Sequence, residues 1–128
     1  MTYFFETYGC QMNQAESSSV EQLLNSRGWT AAPSADEADL VLINTCSVRI
    51  TAETRALSRI SRFCAQKKSR DLTVLVMGCM AERLRSELKK KYKRLDYVVG
   101  MYERELFSDI FAALEQRRTY QPVDEKPV

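Results

Sequence analysis

Residues 40–49 read LVLINTCSVR, and this stretch decides the fold. Its first part, LVLIN, is a continuous run of the kind found in strands that are covered on both faces. Residues 48–68 then show helical spacing, with Leu57, Ile60 and Cys64 on one side of the predicted helix. A covered strand that leads into a helix is the repeating unit of a parallel α/β sheet.

The same unit recurs on both sides of this stretch. Strands are predicted at 2–8, 29–32, 40–44, 72–77 and 96–99, and helices at 14–27, 48–68, 80–93 and 103–117. Asn13 and Glu16 have the spacing of a capping box that would begin the first helix. The inward face of that helix is predicted to carry Ala15, Val20, Leu23 and Leu24. The alternation predicts an α/β fold: a three-layer sandwich with a mostly parallel five-stranded sheet, flavodoxin- or Rossmann-like, in the order 2-1-3-4-5.

Three of the predicted strands are followed directly by a cysteine. Cys10, Cys46 and Cys79 come after the first, third and fourth strands. The carboxyl ends of parallel strands share one edge, where open α/β sheets bind ligands. Adjacent strands lie about 4.8 Å apart, so the three thiols are expected to converge there. The fourth cysteine, Cys64, lies on an apolar helix face and is predicted to be a core thiol.

Three convergent thiols allow more than one chemistry. Iron–sulfur clusters are commonly held by four cysteine thiolates, and three would leave one iron open. Zinc sites prefer four ligands and closely spaced cysteine pairs, whereas this chain has no such pair and no histidine. A disulfide or thiol relay is the other alternative. The residues favour an iron–sulfur cluster and leave zinc, thiol redox chemistry and the absence of a site open.

Three motifs resemble a known family. YGCQMNQAES at 8–17, NTCSVRITAETR at 44–55 and VMGCMAER at 76–83 resemble the N-terminal domain of the radical-SAM methylthiotransferases, closest to the MiaB-type tRNA enzymes. The resemblance covers residues 2–117. It implies that Cys10, Cys46 and Cys79 hold an auxiliary [4Fe–4S] cluster. It also implies a parent enzyme that adds a methylthio group to isopentenylated adenosine beside the tRNA anticodon. The alternatives are branches acting on a ribosomal protein or on threonylcarbamoyl-adenosine in tRNA.

The resemblance also indicates what this chain lacks. The family's C-x3-C-x2-C motif does not occur in the sequence. A second [4Fe–4S] cluster, S-adenosylmethionine and a C-terminal RNA-binding domain are therefore expected in other parts of a longer parent chain. We predict a cluster-binding domain at 1–118 and a linker at 119–128, whose sequence is rich in proline and charge. The fragment alone is expected to be inactive.

Four further residues near the cysteines are candidates for site support. Gly9 and Gly78 each precede a cysteine, and a glycine there could let the backbone approach a cluster or only form the strand-to-helix turn. Asn13 could donate to a cluster or substrate, although helix capping would also explain it. Arg49 could pair with a substrate phosphate or a cluster sulfur, or form a structural ion pair.

Charge is concentrated in the middle of the chain. Residues 47–94 carry fourteen basic and four acidic side chains, although the whole chain has a net charge of only +2. Such a block predicts a polyanionic partner, here tRNA phosphates. Arg55, Arg59 and Arg62 form one stripe of the predicted second helix, and 89–94 adds a lysine-rich run. The alternative is that these residues form solvated helix faces. For the function as a whole, the alternative is a non-catalytic RNA-binding or thiol-redox module, which the basic helices would also fit.

Nothing in the sequence indicates a membrane. No apolar run approaches the ~20 residues of a spanning helix, and no signal-like segment opens the chain. The sequence therefore predicts a cytoplasmic protein without membrane contact. Reduced thiols are the rule in that compartment, which favours metal or redox roles for the cysteines over structural disulfides.

Overall fold

The computed structural model describes residues 1–9, 11–46, 50–100 and 103–116, and within them a five-stranded sheet carries helices on both faces. The strands are β1 (Thr2–Tyr8), β2 (Thr30–Ala31), β3 (Leu40–Thr45), β4 (Thr73–Met77) and β5 (Tyr97–Val99). The helices are α1 (Gln11–Ser26), α2 (Ile50–Gln66), α3 (Cys79–Lys91) and α4 (Leu106–Glu115), with a short 3₁₀ turn at Ala35–Glu37.

The strands lie in the order β2-β1-β3-β4-β5, and all four neighbouring pairs are parallel. The predicted α/β fold and strand order are therefore confirmed. The central strand β3 is buried at every position, as expected for a strand that helices cover on both faces. It pairs Leu40 with Tyr3 of β1 and with Thr73 of β4.

Alternation along β3 divides the core into two layers. Leu40 and Leu42 pack in the cluster that includes α1 and α4, whereas Val41 and Ile43 pack in the cluster that includes α2 and α3. Successive side chains of a strand point to opposite faces, so one apolar strand supplies both layers. The result is the predicted three-layer sandwich.

The start of α1 differs from the prediction. The helix begins at Gln11, so Asn13 lies inside its first turn and does not cap it. The buried positions are Asn13, Ser17, Val20 and Leu24, and the expected inward residue Ala15 is exposed. The predicted capping box is wrong because the Asn13 side chain is buried and donates to Asn44 of β3 instead.

The helices run back from the carboxyl edge of the sheet to its amino edge. α3 begins at Cys79, directly after β4, and its thirteen residues end at Lys91. The φ and ψ angles of Leu84 (−109° and 19°) are not helical, so α3 is kinked there. Its last basic residues, Lys89, Lys90 and Lys91, lie at the opposite end of the helix from Cys79. No helix among the described residues has the length and apolarity to cross a membrane. The predicted linker 119–128 lies outside the described residues.

Candidate metal centre

Two of the three predicted ligand thiols lie at the carboxyl edge of the sheet. Cys46 follows β3 and Cys79 follows Gly78 after β4. The β3–β4 register pairs Asn44 with Met77. Cys46 and Cys79 each lie two residues beyond this last pair, after the ends of neighbouring strands, and Cys79 is already the first residue of α3. We call this edge, with Gly9, Cys46, Gly78 and Cys79, the thiol edge. Cys10 directly follows Gly9 in the sequence and lies outside the described residues.

The environment of Cys46 connects it to the end of β1. The residue is 3% exposed, and its backbone N–H donates to the Tyr8 carbonyl at 3.1 Å. Its Sγ lies 3.2 Å from the place where a Cβ on Gly9 would sit. The Cys46 sulfur is therefore against the backbone that leads into residue 10. Cys79 is partly exposed and is the first residue of α3, where the helix dipole favours negative charge.

The glycines at this edge have positive φ angles and crowded surroundings. Gly78 has a φ of 101°, and a Cβ there would lie 2.4 Å from Asn44 Oδ1 and 2.6 Å from the Thr45 carbonyl oxygen. Gly9 has a φ of 152°, and a Cβ there would lie 2.4 Å from Asn13 Oδ1. Only glycine fits these positions without strain. The atoms nearest to the two Cβ positions are the side-chain oxygens of Asn13 and Asn44.

A buried polar network lies directly beneath these turns. Asn13 Nδ2 donates to Asn44 Oδ1 at 3.0 Å, and Asn44 Nδ2 donates to the Asn13 carbonyl at 2.9 Å and to Ser17 Oγ at 3.0 Å. Ser17 Oγ is also hydrogen-bonded to Thr7 Oγ1 at 2.7 Å. We call Asn13 and Asn44 the amide pair. Sequence reasoning missed Asn44, although a polar residue inside an otherwise apolar strand was the available signal.

The donor set fits a soft metal. Cys46 and Cys79 are free thiols, and the chain contains no histidine. Within the described ranges no group of three or more cysteine, aspartate or glutamate side chains is placed to hold a metal ion, and the third predicted thiol lies outside them. Thiolates at neighbouring strand ends, beside turns without side chains, suit an iron–sulfur cluster better than a four-ligand zinc site.

Cys64 lies away from the thiol edge. It is 7% exposed and packs in the core between the sheet, α2 and α3, as its place on an apolar helix face predicted. Burial raises the pKa of its thiol, which disfavours the thiolate that binds metals.

The three stripe arginines have different surroundings. The Arg59 guanidinium binds the Glu6 carboxylate with both of its ends, at 2.7 Å and 2.5 Å, and lies over the Phe63 ring. The Glu6 carboxylate raises the pKa of Arg59. Arg55 lies over the Tyr8 ring at 5.3 Å and, like Arg62, is exposed.

No ion pair of Arg55 or Arg62 occurs in the described part of the chain. Arg55, Tyr8, Thr54 and Ser58 line an open groove beside the end of β1. Arg49, the other predicted contact, lies outside the described residues.

The described residues form a parallel α/β domain in which free thiols follow two neighbouring strands. Residues 2–100 match the model described as "Uncharacterized protein family UPF0004", and the chain belongs to that family.

Three relatives share the name "tRNA-2-methylthio-N(6)-dimethylallyladenosine synthase". The Treponema denticola protein is 54% identical over 100% of this chain and 30% of its own length. The Treponema pallidum (strain Nichols) protein is 56% identical over 93% of this chain and 26% of its own length. The Geobacter metallireducens protein is 39% identical over 94% of this chain and 27% of its own length. The chain thus spans less than a third of these relatives. Their shared name confirms the resemblance drawn from the three motifs.

Proposed function

We propose that this chain is the auxiliary-cluster domain of a tRNA-2-methylthio-N(6)-dimethylallyladenosine synthase, with a [4Fe–4S] cluster on Cys10, Cys46 and Cys79. One observation carries the proposal: two free thiols follow neighbouring parallel strands at one edge of the sheet, and one sulfur lies against the residue before Cys10. When bound, a cluster held by three thiolates supplies an open iron site for the sulfur that is transferred.

The chain's own residues supply the shape of that site. Cys46 is almost fully buried, so water has little access to its sulfur. Gly9 and Gly78 precede two of the proposed ligands, and the side-chain oxygens of the amide pair occupy the positions that their Cβ atoms would take. Asn13 supports the site from within the protein in this proposal, and we assign it no contact with the substrate.

The RNA contacts are assigned by charge. Arg55 and Arg62 are exposed without ion pairs among the described residues, so they are available for tRNA phosphates. Arg59 is occupied by Glu6 and contributes less to RNA binding than the stripe suggested. Arg49 is proposed as a phosphate contact next to Cys46 on the strength of its sequence position.

The remaining functions are assigned to other parts of a longer parent protein. The second [4Fe–4S] cluster, S-adenosylmethionine and a C-terminal RNA-binding domain belong there, in a cytoplasmic enzyme. Residues 1–118 form the cluster domain in this scheme, and 119–128 lead towards the radical-SAM domain. The cluster domain alone carries no methylthiotransferase activity in this scheme.

Anaerobic reconstitution with iron and sulfide tests the ligand assignment. We expect about four irons per chain, from the cluster stoichiometry, with the absorbance and Mössbauer spectra of a [4Fe–4S] cluster. Cys10→Ala, Cys46→Ala and Cys79→Ala should lose the iron, whereas Cys64→Ala should keep it and serves as the matched control.

Two results would contradict the proposal. If the wild-type chain binds no iron, or if Cys64→Ala loses as much as the others, the three-thiol assignment is wrong. Stoichiometric zinc in place of iron, or a reversible disulfide between Cys46 and Cys79, would instead support a zinc or thiol-redox module.

A further inference from the structure

We infer that Asn44 is a positioning residue which, through its amide pair with Asn13, fixes the spacing of the cysteine-bearing turns. The inference rests on the proposed function, because the spacing of the turns matters only if their thiols share one ligand. It assigns to Asn44, which is not one of the proposed ligands, the role of positioning the turns that carry them.

The amide pair touches both glycine turns at once. Asn13 Oδ1 occupies the space in which a Gly9 Cβ would lie, and Asn44 Oδ1 occupies the space in which a Gly78 Cβ would lie, each at 2.4 Å. The two side chains are joined by the 3.0 Å hydrogen bond from Asn13 Nδ2 to Asn44 Oδ1. A single bonded unit therefore separates the turn before Cys10 from the turn before Cys79.

Cys46, the third thiol, is linked to the amide pair through the backbone of β3. Asn44 is two residues before Cys46, and its neighbour Thr45 presents its carbonyl oxygen 2.6 Å from the Gly78 Cβ position. Asn44 Nδ2 also holds α1, through the Asn13 carbonyl and Ser17 Oγ. The Asn44 side chain is thus bonded to α1 and lies against the Gly78 turn, and Ser17 extends the network to Thr7 of β1.

The chemistry of position 44 argues against simple packing. Asn44 is fully buried in a strand whose preceding residues are Leu, Val, Leu and Ile. An apolar side chain would satisfy that core, whereas a buried amide is favourable only when its polar atoms are paired. Both Nδ2 donors and the Oδ1 acceptor of Asn44 have partners. The protein therefore places a fully hydrogen-bonded amide at a position where an apolar side chain would be enough for the fold.

Residues that orient metal ligands without touching the metal typically change affinity by about 10–100-fold. We expect Asn44→Ala to free the Gly78 turn from the Gly9 turn and to widen the range of thiol spacings. Metal binding should then weaken by at least about tenfold while the fold is retained.

The test uses Co²⁺ as a probe on the complete chain under anaerobic conditions. The thiolate-to-cobalt absorption band reports binding, and its intensity reports coordination geometry, both without enzyme activity. The variants are Asn44→Ala, Asn13→Ala and the double variant. Ile110→Ala is the matched control, because Ile110 is buried in α4 and is not part of the edge. Thermal unfolding of each variant measures how far stability alone has changed.

The inference predicts at least tenfold weaker cobalt binding in Asn44→Ala and Asn13→Ala, with a double variant little worse than either. Ile110→Ala should bind within about twofold of wild type despite a lower melting temperature. If Asn44→Ala does not fold, the milder Asn13→Ala, which retains the Asn13 backbone carbonyl, decides. Wild-type affinity in the amide variants, or equal loss in Ile110→Ala, overturns the inference.

The outcomes distinguish failure of this inference from failure of the proposed function. If wild type binds cobalt tightly through its thiols and the amide variants weaken it, but no [4Fe–4S] cluster assembles, the positioning role stands and the cluster assignment falls. If wild type binds neither cobalt nor iron, both fall.

Discussion

At the residue scale, three glycines with positive φ allow the energetic cost of backbone strain to be distinguished from that of steric crowding. Gly28 has a φ of 89° and nothing within 4 Å of its Cβ position, whereas Gly9 faces a side-chain oxygen and Gly78 faces a backbone oxygen of β3. We expect Gly28→Ala to cost about 1–3 kcal/mol of unfolding free energy from strain. Gly9→Ala should cost more, and Gly78→Ala most, because the Thr45 carbonyl cannot move without disturbing the sheet.

Urea unfolding of the metal-free chain, followed by circular dichroism, measures the three values. Gly28→Ala is the built-in control for strain without crowding. Equal losses at all three positions would show that crowding by the amide pair and Thr45 contributes nothing.

The same residues show how far the sequence could be interpreted. A glycine before a cysteine predicted a tight turn, and both turns are present with positive φ. Asn13 was misplaced because helix capping is a local pattern, while its actual partner lies 31 residues away. Asn44 was missed for the same reason: a side-chain hydrogen bond between distant elements has no periodicity for a sequence to display.

At the element scale, the sequence located every strand and most helix ends to within a few residues. Apolar periodicity is a property of single elements, so β3 and β4 were predictable from their own residues. The charge stripe on α2 was less informative. Periodicity placed Arg55, Arg59 and Arg62 together but could not show that Glu6 of β1 binds the middle one.

We therefore predict different losses of stability on substitution of two arginines of α2. Arg59→Ala removes a two-point bond to Glu6, whose side chain is 11% exposed, and should cost about 1.5–3 kcal/mol of unfolding free energy. Arg55→Ala removes an exposed contact with the Tyr8 ring and should cost no more than about 1 kcal/mol. Thermal and urea unfolding of both variants at neutral pH measure the difference. A larger loss for Arg55→Ala would contradict the assigned roles.

Helix α4 packs in the core, and its C-terminal end is also bonded to the β2 end of the sheet by the Glu115 carboxylate. Glu115 accepts hydrogen bonds from Arg27 and from Trp29 Nε1, and these bonds lower its pKa below the ordinary value of 4.5. A lowered carboxyl pKa contributes stability that is present above the unfolded value and is lost as pH falls through the folded value. The α4 attachment should therefore weaken below about pH 4.5.

Trp29 is the only tryptophan in the chain, so its fluorescence reports this contact directly. We expect an acid transition in Trp29 emission that Glu115→Gln abolishes, with a loss at neutral pH of about 0.5–1 kcal/mol, since the ion pair is partly exposed. Glu105→Gln, at the other end of α4, is the control. A transition that persists unchanged in Glu115→Gln would assign it to other carboxyl groups.

At the scale of the whole molecule, the charge block of the sequence separates into two regions. Arg55 lies near the thiol edge, at the end of β1. Lys89, Lys90 and Lys91 lie in the last turn of α3, at the opposite end of this helix from Cys79. In the sequence these residues form one basic block, because a linear sequence does not show that α3 carries its lysines away from the carboxyl edge of the sheet.

This separation predicts that substitutions in the lysine-rich run change RNA affinity without changing iron binding. The triple variant Lys89→Gln, Lys90→Gln, Lys91→Gln should weaken tRNA binding and reduce the salt slope by as much as about 1 for each lost phosphate contact. The iron content of the same variant should equal that of wild type. Fluorescence anisotropy with labelled tRNA at several salt concentrations, beside iron analysis, measures both. Arg55→Ala is the comparison from the thiol edge. Loss of iron in the triple variant would contradict the separation.

The parallel sheet also imposes an order in time on a chain that leaves the ribosome amino end first. β1 pairs with residues 37 positions later, and β3 with residues 33 positions later. Asn13 can meet Asn44 once β3 has been made, but the Gly78 turn and Cys79 exist only after β4 has emerged. In the proposed ligand set, Cys10 and Cys46 are therefore synthesised before Cys79. A cluster shared by the three proposed ligands can assemble only after β4 has been made, and we expect its loading to be a late event in the synthesis of the chain.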